Sequence, residues 1–304
     1  MKKITLCIFL ISGIYLSAFS QQLPLYSQYM FNKVLLNPAV TGSHEEIPIR
    51  LTARQQWVGF DKAPSTQIIS GHMLLNNETM GVGAIVFSDR LGHESHIGIQ
   101  GNYAYILPLS RKGPKFAFGL AFKVFQYQLD YTGFVPTDNN DPTLNYSNEN
   151  TWLPESDFGL YLYDENYYAG ISANQMIELP VKIGGEEVEL NTMERHYNFF
   201  GGYKFEINRE FDIEPSALIK GTAKTPFQLD VNMKGIYQED YWAGLSYRTS
   251  GDIIAMFGLS FNEFVFGFAY DYSTSRMSHY QNGTFELMLG YDIPANKLKG
   301  KSFL

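Results

Sequence analysis

The sequence predicts an all-β chain: a transmembrane antiparallel β-barrel of about 14 strands, with both termini in the periplasm. Three observations predict it. Large apolar residues recur with a period of two rather than 3.6. The residues between them are Gly, Ala, Ser, Asn or isolated charges, not a solvated charged face. The connections between these segments alternate in length, short then long.

Composition removes the competing classes. The 304 residues are 45% hydrophobic, 15% aromatic and 18% charged, which is too aromatic and too sparsely charged for a disordered chain. One Cys excludes a disulfide-stapled domain. A net charge of −8 argues against nucleic-acid binding. Past residue 20 no apolar run is long enough for a membrane helix; residues 253–270 come nearest and are broken by Ser260, Asn262 and Glu263.

Residues 1–20 read as a secretory signal peptide. Lys2 and Lys3 form the basic start, Ile4 to Leu16 the apolar stretch, and Ala18 and Ser20 the small residues before a cut at Gln21. Cys7 lies inside the apolar stretch and would leave with it, so a lipidated Cys is not expected. Residues 21–48 are a segment that either plugs the lumen or lies along the periplasmic rim. Leu23–Pro24 and Asn37–Pro38 interrupt regular structure there, leaving 26–36 for a short helix.

The barrel occupies 49–293, with a tail at 294–304. Its strands are expected near 49–58, 65–76, 80–89, 95–107, 115–130, 156–164, 166–175, 195–207, 211–222, 226–237, 240–249, 252–261, 263–273 and 283–293. The alternation is plainest in 264–273, where Phe264, Phe266, Phe268, Tyr270 and Tyr272 interleave with Val265, Gly267, Ala269, Asp271 and Ser273. It recurs in Phe116 to Val124, Phe227 to Met233 and Phe285 to Tyr291. Long connections at 131–155, 176–194 and 274–282 share one parity, and short polar turns the other, as short periplasmic turns and longer extracellular loops do. Closure leaves no unpaired edge in lipid. With apolar residues facing lipid, the hydrophobic driving force is expected outside the barrel and not in a central core.

Chemistry is sparse. His93 and His96 fall on opposite faces of a strand and lack supporting ligands, so no metal is expected. Asp138, Asn140 and Asp141 lack the Gly and closing Glu of a calcium loop and read as a solvated turn. Asp271, Ser273, Ser278 and His279 could serve a rim hydrolase, but no nucleophile signature surrounds them. The chain is therefore expected to be no enzyme, with no catalytic residues and no cofactor.

Specific strings go further. LYSQYMFNKVLLNPAVTG at 25–42, RQQWVGFDKAP at 54–64, MGVGAIVFSDRLG at 80–92, FGFAYDYSTS at 266–275 and GTFELMLGY at 283–291 resemble the PorP/SprF family of type IX secretion in Bacteroidota. The resemblance runs over about 22–291 and is weakest in the loops 131–155 and 176–194. It implies a non-enzymatic outer-membrane barrel working with the type IX translocon and its periplasmic components, helping a secreted cell-surface protein, such as a gliding adhesin, to reach or stay on the surface. Loops 58–64, 88–94, 131–155, 176–194 and 274–282 would then meet the client, and 21–48 with the periplasmic turns the machinery. Trp57, Phe60, Asp61, Arg90, Tyr131, Trp152 and Tyr280 are the candidate partner contacts, because aromatics and Arg dominate interfaces. Trp57 and Tyr131 also suit a headgroup girdle contacting outer-membrane lipid, and Asp61 and Arg90 a loop ion pair. A channel for small solutes is the alternative. The small inward residues Gly98, Ala117, Gly119, Ala121, Gly170, Gly202, Gly244 and Gly267 leave room for a plug or a pathway.

Overall fold

The computed structural model describes residues 26–75, 78–131, 149–183 and 188–294. The expected signal peptide, the Asp138–Asn140–Asp141 turn and residues 295–304 lie outside them. None of the described helices is long and apolar enough to cross a membrane.

Seventeen strands are present among the described residues: β1 (Ile47–Gln55), β2 (Ser65–Leu74), β3 (Met80–Leu91), β4 (Glu94–Pro108), β5 (Lys115–Leu129), β6 (Glu149–Tyr163), β7 (Tyr167–Asn174), β8 (Pro180–Ile183), β9 (Val188–Thr192), β10 (His196–Tyr203), β11 (Phe205–Glu206), β12 (Phe211–Thr222), β13 (Gln228–Tyr237), β14 (Tyr241–Arg248), β15 (Asp252–Phe261), β16 (Phe264–Ser273) and β17 (Thr284–Ile293). Each barrel strand pairs antiparallel with its predecessor and successor. Pairing of β1 with β17, from Ile47↔Ile293 to Gln55↔Phe285, closes the ring. Fourteen strands form the wall. The short β11 extends the end of β10 against β12, and β8–β9 is a separate hairpin.

Alternation sets the two faces. On β5, Phe118, Leu120 and Phe122 are exposed outward while Ala117, Gly119 and Ala121 are buried inward. The outward side chains meet lipid, so their exposure is that of a membrane barrel. Outward aromatics such as Tyr203, Phe205, Tyr237, Tyr241, Phe261 and Phe264 gather at the short-turn ends, the girdle position.

The lumen departs from the expectation that no central core exists. Residues 26–42 run inside the barrel, and Tyr29, Met30, Val34, Leu36, Ala39 and Val40 are buried against inward Ile68, Ile106, Leu218, Trp242, Ile254 and Met288. The inward face is not uniformly polar. Most strands place an apolar residue inside, and these need a partner that water cannot supply. Burying a side chain such as Met30 or Val34 stabilises by about 1.5–3 kcal/mol. The segment forms three 3₁₀ turns, Tyr29–Phe31, Lys33–Leu35 and Pro38–Val40, in place of the expected helix. Asn37 starts the last turn, its Oδ1 accepting from the Ala39 N–H at 2.8 Å, with Pro38 at the first helical position.

Two glycines show how the wall admits this chain. A Cβ on Gly119 would collide with the backbone of Pro38 and Ala39, and one on Gly159 with the Asn37 carboxamide. Asn37 Nδ2 then donates to the carbonyls of Leu160 (2.9 Å) and Ile171 (3.1 Å), stitching the turn to β6 and β7.

β6 also begins earlier than expected, at Glu149 rather than 156, because its register with β5 continues to Glu149↔Leu129. The resulting β5–β6 ribbon, which stays paired with β4 as far as Glu94↔Leu129 but extends past β7, turns Phe125, Tyr127, Leu129 and Leu153 inward. Val181 and Met193 of the β8–β9 hairpin region, within the long connection 176–194, cover them.

Candidate functional site

The outer-loop end of the barrel is a connected rim. Val58 N–H donates to Gly283 O (2.9 Å) and Asn282 N–H to Val58 O (2.7 Å), zipping loop 56–64 to loop 274–283. The Trp57 N–H donates to Thr284 Oγ1 at 3.2 Å. Three positive φ values, +44° at Trp57, +96° at Gly59 and +51° at Lys62, fold loop 56–64 tightly. Gly92 N–H donates to Lys62 O (3.1 Å), and Lys62 Nζ lies 2.8 Å from His93 Nε2. The Asp130 N–H donates to His93 O (2.9 Å), which carries the rim on to the β5–β6 ribbon.

The candidate residues distribute unevenly on this rim. Trp57 and Phe60 share one loop, their rings edge to face at 6.5 Å. Phe60 is 48% exposed, and Tyr280, on the loop zipped to theirs, 71%. Asp61 and Arg90 are both exposed, and among the described residues no ion pair joins them: Arg90, the last residue but one of β3, has Ser65 and Ser95 as register partners. Tyr131 is neither a surface contact nor a girdle residue. It is buried in the cluster under the β8–β9 hairpin, because the ribbon turns inward there. Trp152 is 61% exposed on the outer face of the ribbon. Its register neighbour is Gln126, and Pro154, opposite Val124, follows on the same outward face.

Beneath the rim lies a charged network that the sequence reading did not single out. Arg54 Nη1 donates to Glu286 Oε2 (2.9 Å) and Ser27 Oγ (2.7 Å), and Nη2 to Asp271 Oδ2 (2.8 Å). Glu286 accepts the backbone N–H groups of Ser27 (2.8 Å) and Gln28 (2.9 Å). Arg248 Nε donates to Asp230 (2.9 Å), with Asp271 3.6 Å from its Nη1. The available signal was alternation itself. Arg54, Asp230, Arg248, Asp271 and Glu286 all occupy inward parity near the outer-loop ends of their strands. Asp271, held by Arg54 and Ser27, is thereby committed to a structural role rather than to the Ser/His set beside it. Lower in the lumen, Lys33 Nζ sits over the Tyr168 ring at 4.1 Å. Burial lowers the Lys33 pKa to about 8 against the opposing pull of Glu214.

The inner segment thus starts among outer-end residues and descends. Ser27 meets Arg54, Lys33 nears Glu214, and Gly42 donates to His72 Nδ1 at 3.1 Å before the chain enters β1 at its short-turn end. Among the described residues no three His, Cys, Asp or Glu side chains converge as metal ligands. His93 lies in the rim, while His96 faces inward against Phe125.

A family profile described as "Type IX secretion system membrane protein PorP/SprF" matches residues 18–291. No curated protein matches the chain. Among solved structures, the Ralstonia pickettii toluene transporter TbuX superposes with a TM-score of 0.52 at 10% identity, over 86% of this chain and 92% of that one. The CymD monoaromatic hydrocarbon channel gives 0.50 at 12% identity, over 90% and 94%. At such identities the likeness is one of barrel fold.

Proposed function

Because this chain belongs to the PorP/SprF family of type IX secretion system membrane proteins, we propose that it is a non-enzymatic outer-membrane barrel that binds an exported cell-surface protein and helps deliver or hold it at the surface. Residues 1–20 would direct its export. The observation that carries this reading is the outer rim, where Phe60 and Tyr280 stand exposed on loops fixed to one another by backbone hydrogen bonds. Large aromatics on a preorganised surface lose little entropy on binding and serve as interface anchors. A gliding adhesin is the kind of client this reading favours. The inner segment and the short turns are the surfaces left for translocon and periplasmic components.

A channel for free solute diffusion fits less well, since residues 26–42 occupy the lumen with buried apolar and hydrogen-bonded contacts. The toluene transporter and hydrocarbon channel share the barrel fold, and at their identities that likeness transfers no cargo.

The deciding experiment is affinity isolation from outer membranes solubilised in mild detergent, after cross-linking, with mass spectrometry of the companions. Near-stoichiometric recovery of one large exported protein, lost when Phe60 and Tyr280 are changed to Ala, supports the proposal. Recovery of the barrel alone counts against it.

A further inference from the structure

The outer half of the lumen holds a partly open cavity of about 100 Å³ between the β2–β7 wall, the Met193 side chain and residues Tyr26 and Leu35 of the inner segment. Its floor is apolar, with Ile68 and Ile85. Three charged side chains line it. Lys123 is neutralised by Asp157 at 3.0 Å, and Asp157 also accepts the Gln175 N–H at 2.9 Å. Asp89 is different. Thr66 Oγ1 donates to it at 2.5 Å, and among the described residues no cationic side chain pairs with it. The cavity wall therefore carries one carboxylate whose charge the protein leaves unmatched, and a carboxylate offers about four acceptor positions.

Aromatic rings surround this carboxylate. His96 is its direct cross-strand neighbour on β4. Phe87 is two residues before it on the same face of β3, and the Phe87 and His96 rings lie 6.3 and 5.8 Å from that of Phe125. Ring faces attract cations and repel anions. An unpaired carboxylate in a low-dielectric site repels anions further and leaves a neutral guest without compensation for its charge. Engineered cavities of about 150 Å³ hold benzene, so this smaller one suits a guest of about five heavy atoms.

We propose that this cavity is a binding site for a small alkylammonium ion, with Asp89 as its counter-charge and Phe87, His96 and Phe125 as its aromatic wall. The site is independent of client binding at the rim. The same chemistry is presented by a free amine and by the end of a lysine side chain.

The test uses the full processed chain, purified in detergent, titrated calorimetrically with n-butylammonium, 1-butanol and butyrate at one pH and ionic strength. Butylammonium is expected to bind about ten-fold or more tightly than butanol, and butyrate not at all, because only the cation satisfies the carboxylate. Asp89→Asn keeps a partner for Thr66 and is expected to remove the preference for the amine while leaving butanol binding unchanged, which reports that the cavity is intact. Should that variant fail to fold, the wild-type comparison still decides. Equal affinity for amine and alcohol, absence of butylammonium binding at millimolar concentration, or an amine preference that survives in Asp89→Asn overturns the proposal. Adding N-acetyl-lysine amide separates the sources: butylammonium binding without it assigns the site to free amines, and binding of both admits a lysine side chain.

Discussion

Arg54 and Glu286 face each other directly across the seam where the first and last strands close the barrel, with Nη1 and Oε2 2.9 Å apart. The same carboxylate accepts the backbone N–H groups of Ser27 and Gln28. One ion pair thus fastens two separate things, the ring closure and the start of the inner segment. Both partners are almost wholly buried, so the pair contributes geometry as much as energy: a buried ion pair is strongly destabilising to break, though weak as net stabilisation.

Arg54→Ala is therefore expected to lower stability by about 3–5 kcal/mol, the cost of a buried carboxylate left without its partner. Urea unfolding in micelles, followed by heat-modifiable gel mobility, measures it. Arg54→Lys should recover only part, since one ammonium cannot span Glu286, Asp271 and Ser27 together. An Arg54→Ala barrel as stable as the parent contradicts this account of the seam.

Gly119 sets how close the inner segment can lie to β5. Gly119→Leu places side-chain atoms where the Pro38–Ala39 backbone runs. The wall is a continuous hydrogen-bonded sheet, so the segment is expected to yield instead. Planar-bilayer recordings should show larger conductance for this variant than for the parent, and equal conductance would mean that the lumen is sealed by something else.

Asn37→Ala removes two hydrogen bonds to the wall and the cap on Ala39. The expected loss is about 1–3 kcal/mol, from two lost hydrogen bonds and a missing cap. Hydrogen exchange should accelerate over 37–41 while the strand amides stay protected. Uniform acceleration across the barrel would instead mark a global defect.

Lys33 gives a pH dependence. Its pKa is lowered to about 8 in the folded chain, from an ordinary value of 10.5, chiefly by burial. A base depressed on folding binds fewer protons folded than unfolded between those values, so stability rises as pH climbs through that window. Lys33→Met should remove this rise. Urea midpoints for both proteins at pH 7.5 and 9.5 give the comparison, and parallel changes would assign the slope to other groups.

The rim aromatics separate binding from folding. Trp57→Ala disturbs a loop that is hydrogen-bonded to β17, whereas Phe60→Ala and Tyr280→Ala remove exposed rings. Each of the latter two is expected to leave stability within about 0.5 kcal/mol of the parent, as surface changes do, while reducing recovery of the client. Trp152→Ala tests whether the β5–β6 ribbon belongs to the same surface.

The sequence by itself determined the wall. Period-two alternation fixes which side chains meet lipid, and a one-residue slip would invert every strand, so the number and order of the wall strands were legible from 264–273 and its counterparts, while the early start of β6 at Glu149 and the β8–β9 hairpin were not. The sequence also contained the small inward residues, Gly119 and Gly267 among them, that left space inside. What filled that space only the tertiary structure decided. Asn37 reaches carbonyls 123 and 134 positions away, and Glu286 grips backbone 258 and 259 positions away. No local pattern encodes contacts between a segment without regular periodicity and the inner faces of a closed ring. The same holds for Tyr131 and Trp152: both are aromatics beside a long loop, and only the inward turn of the ribbon buries one and exposes the other. A barrel's outside is written in its local period, because lipid imposes one rule on every strand. Its inside depends on closure, which brings distant residues to a shared lumen and lets them choose partners there.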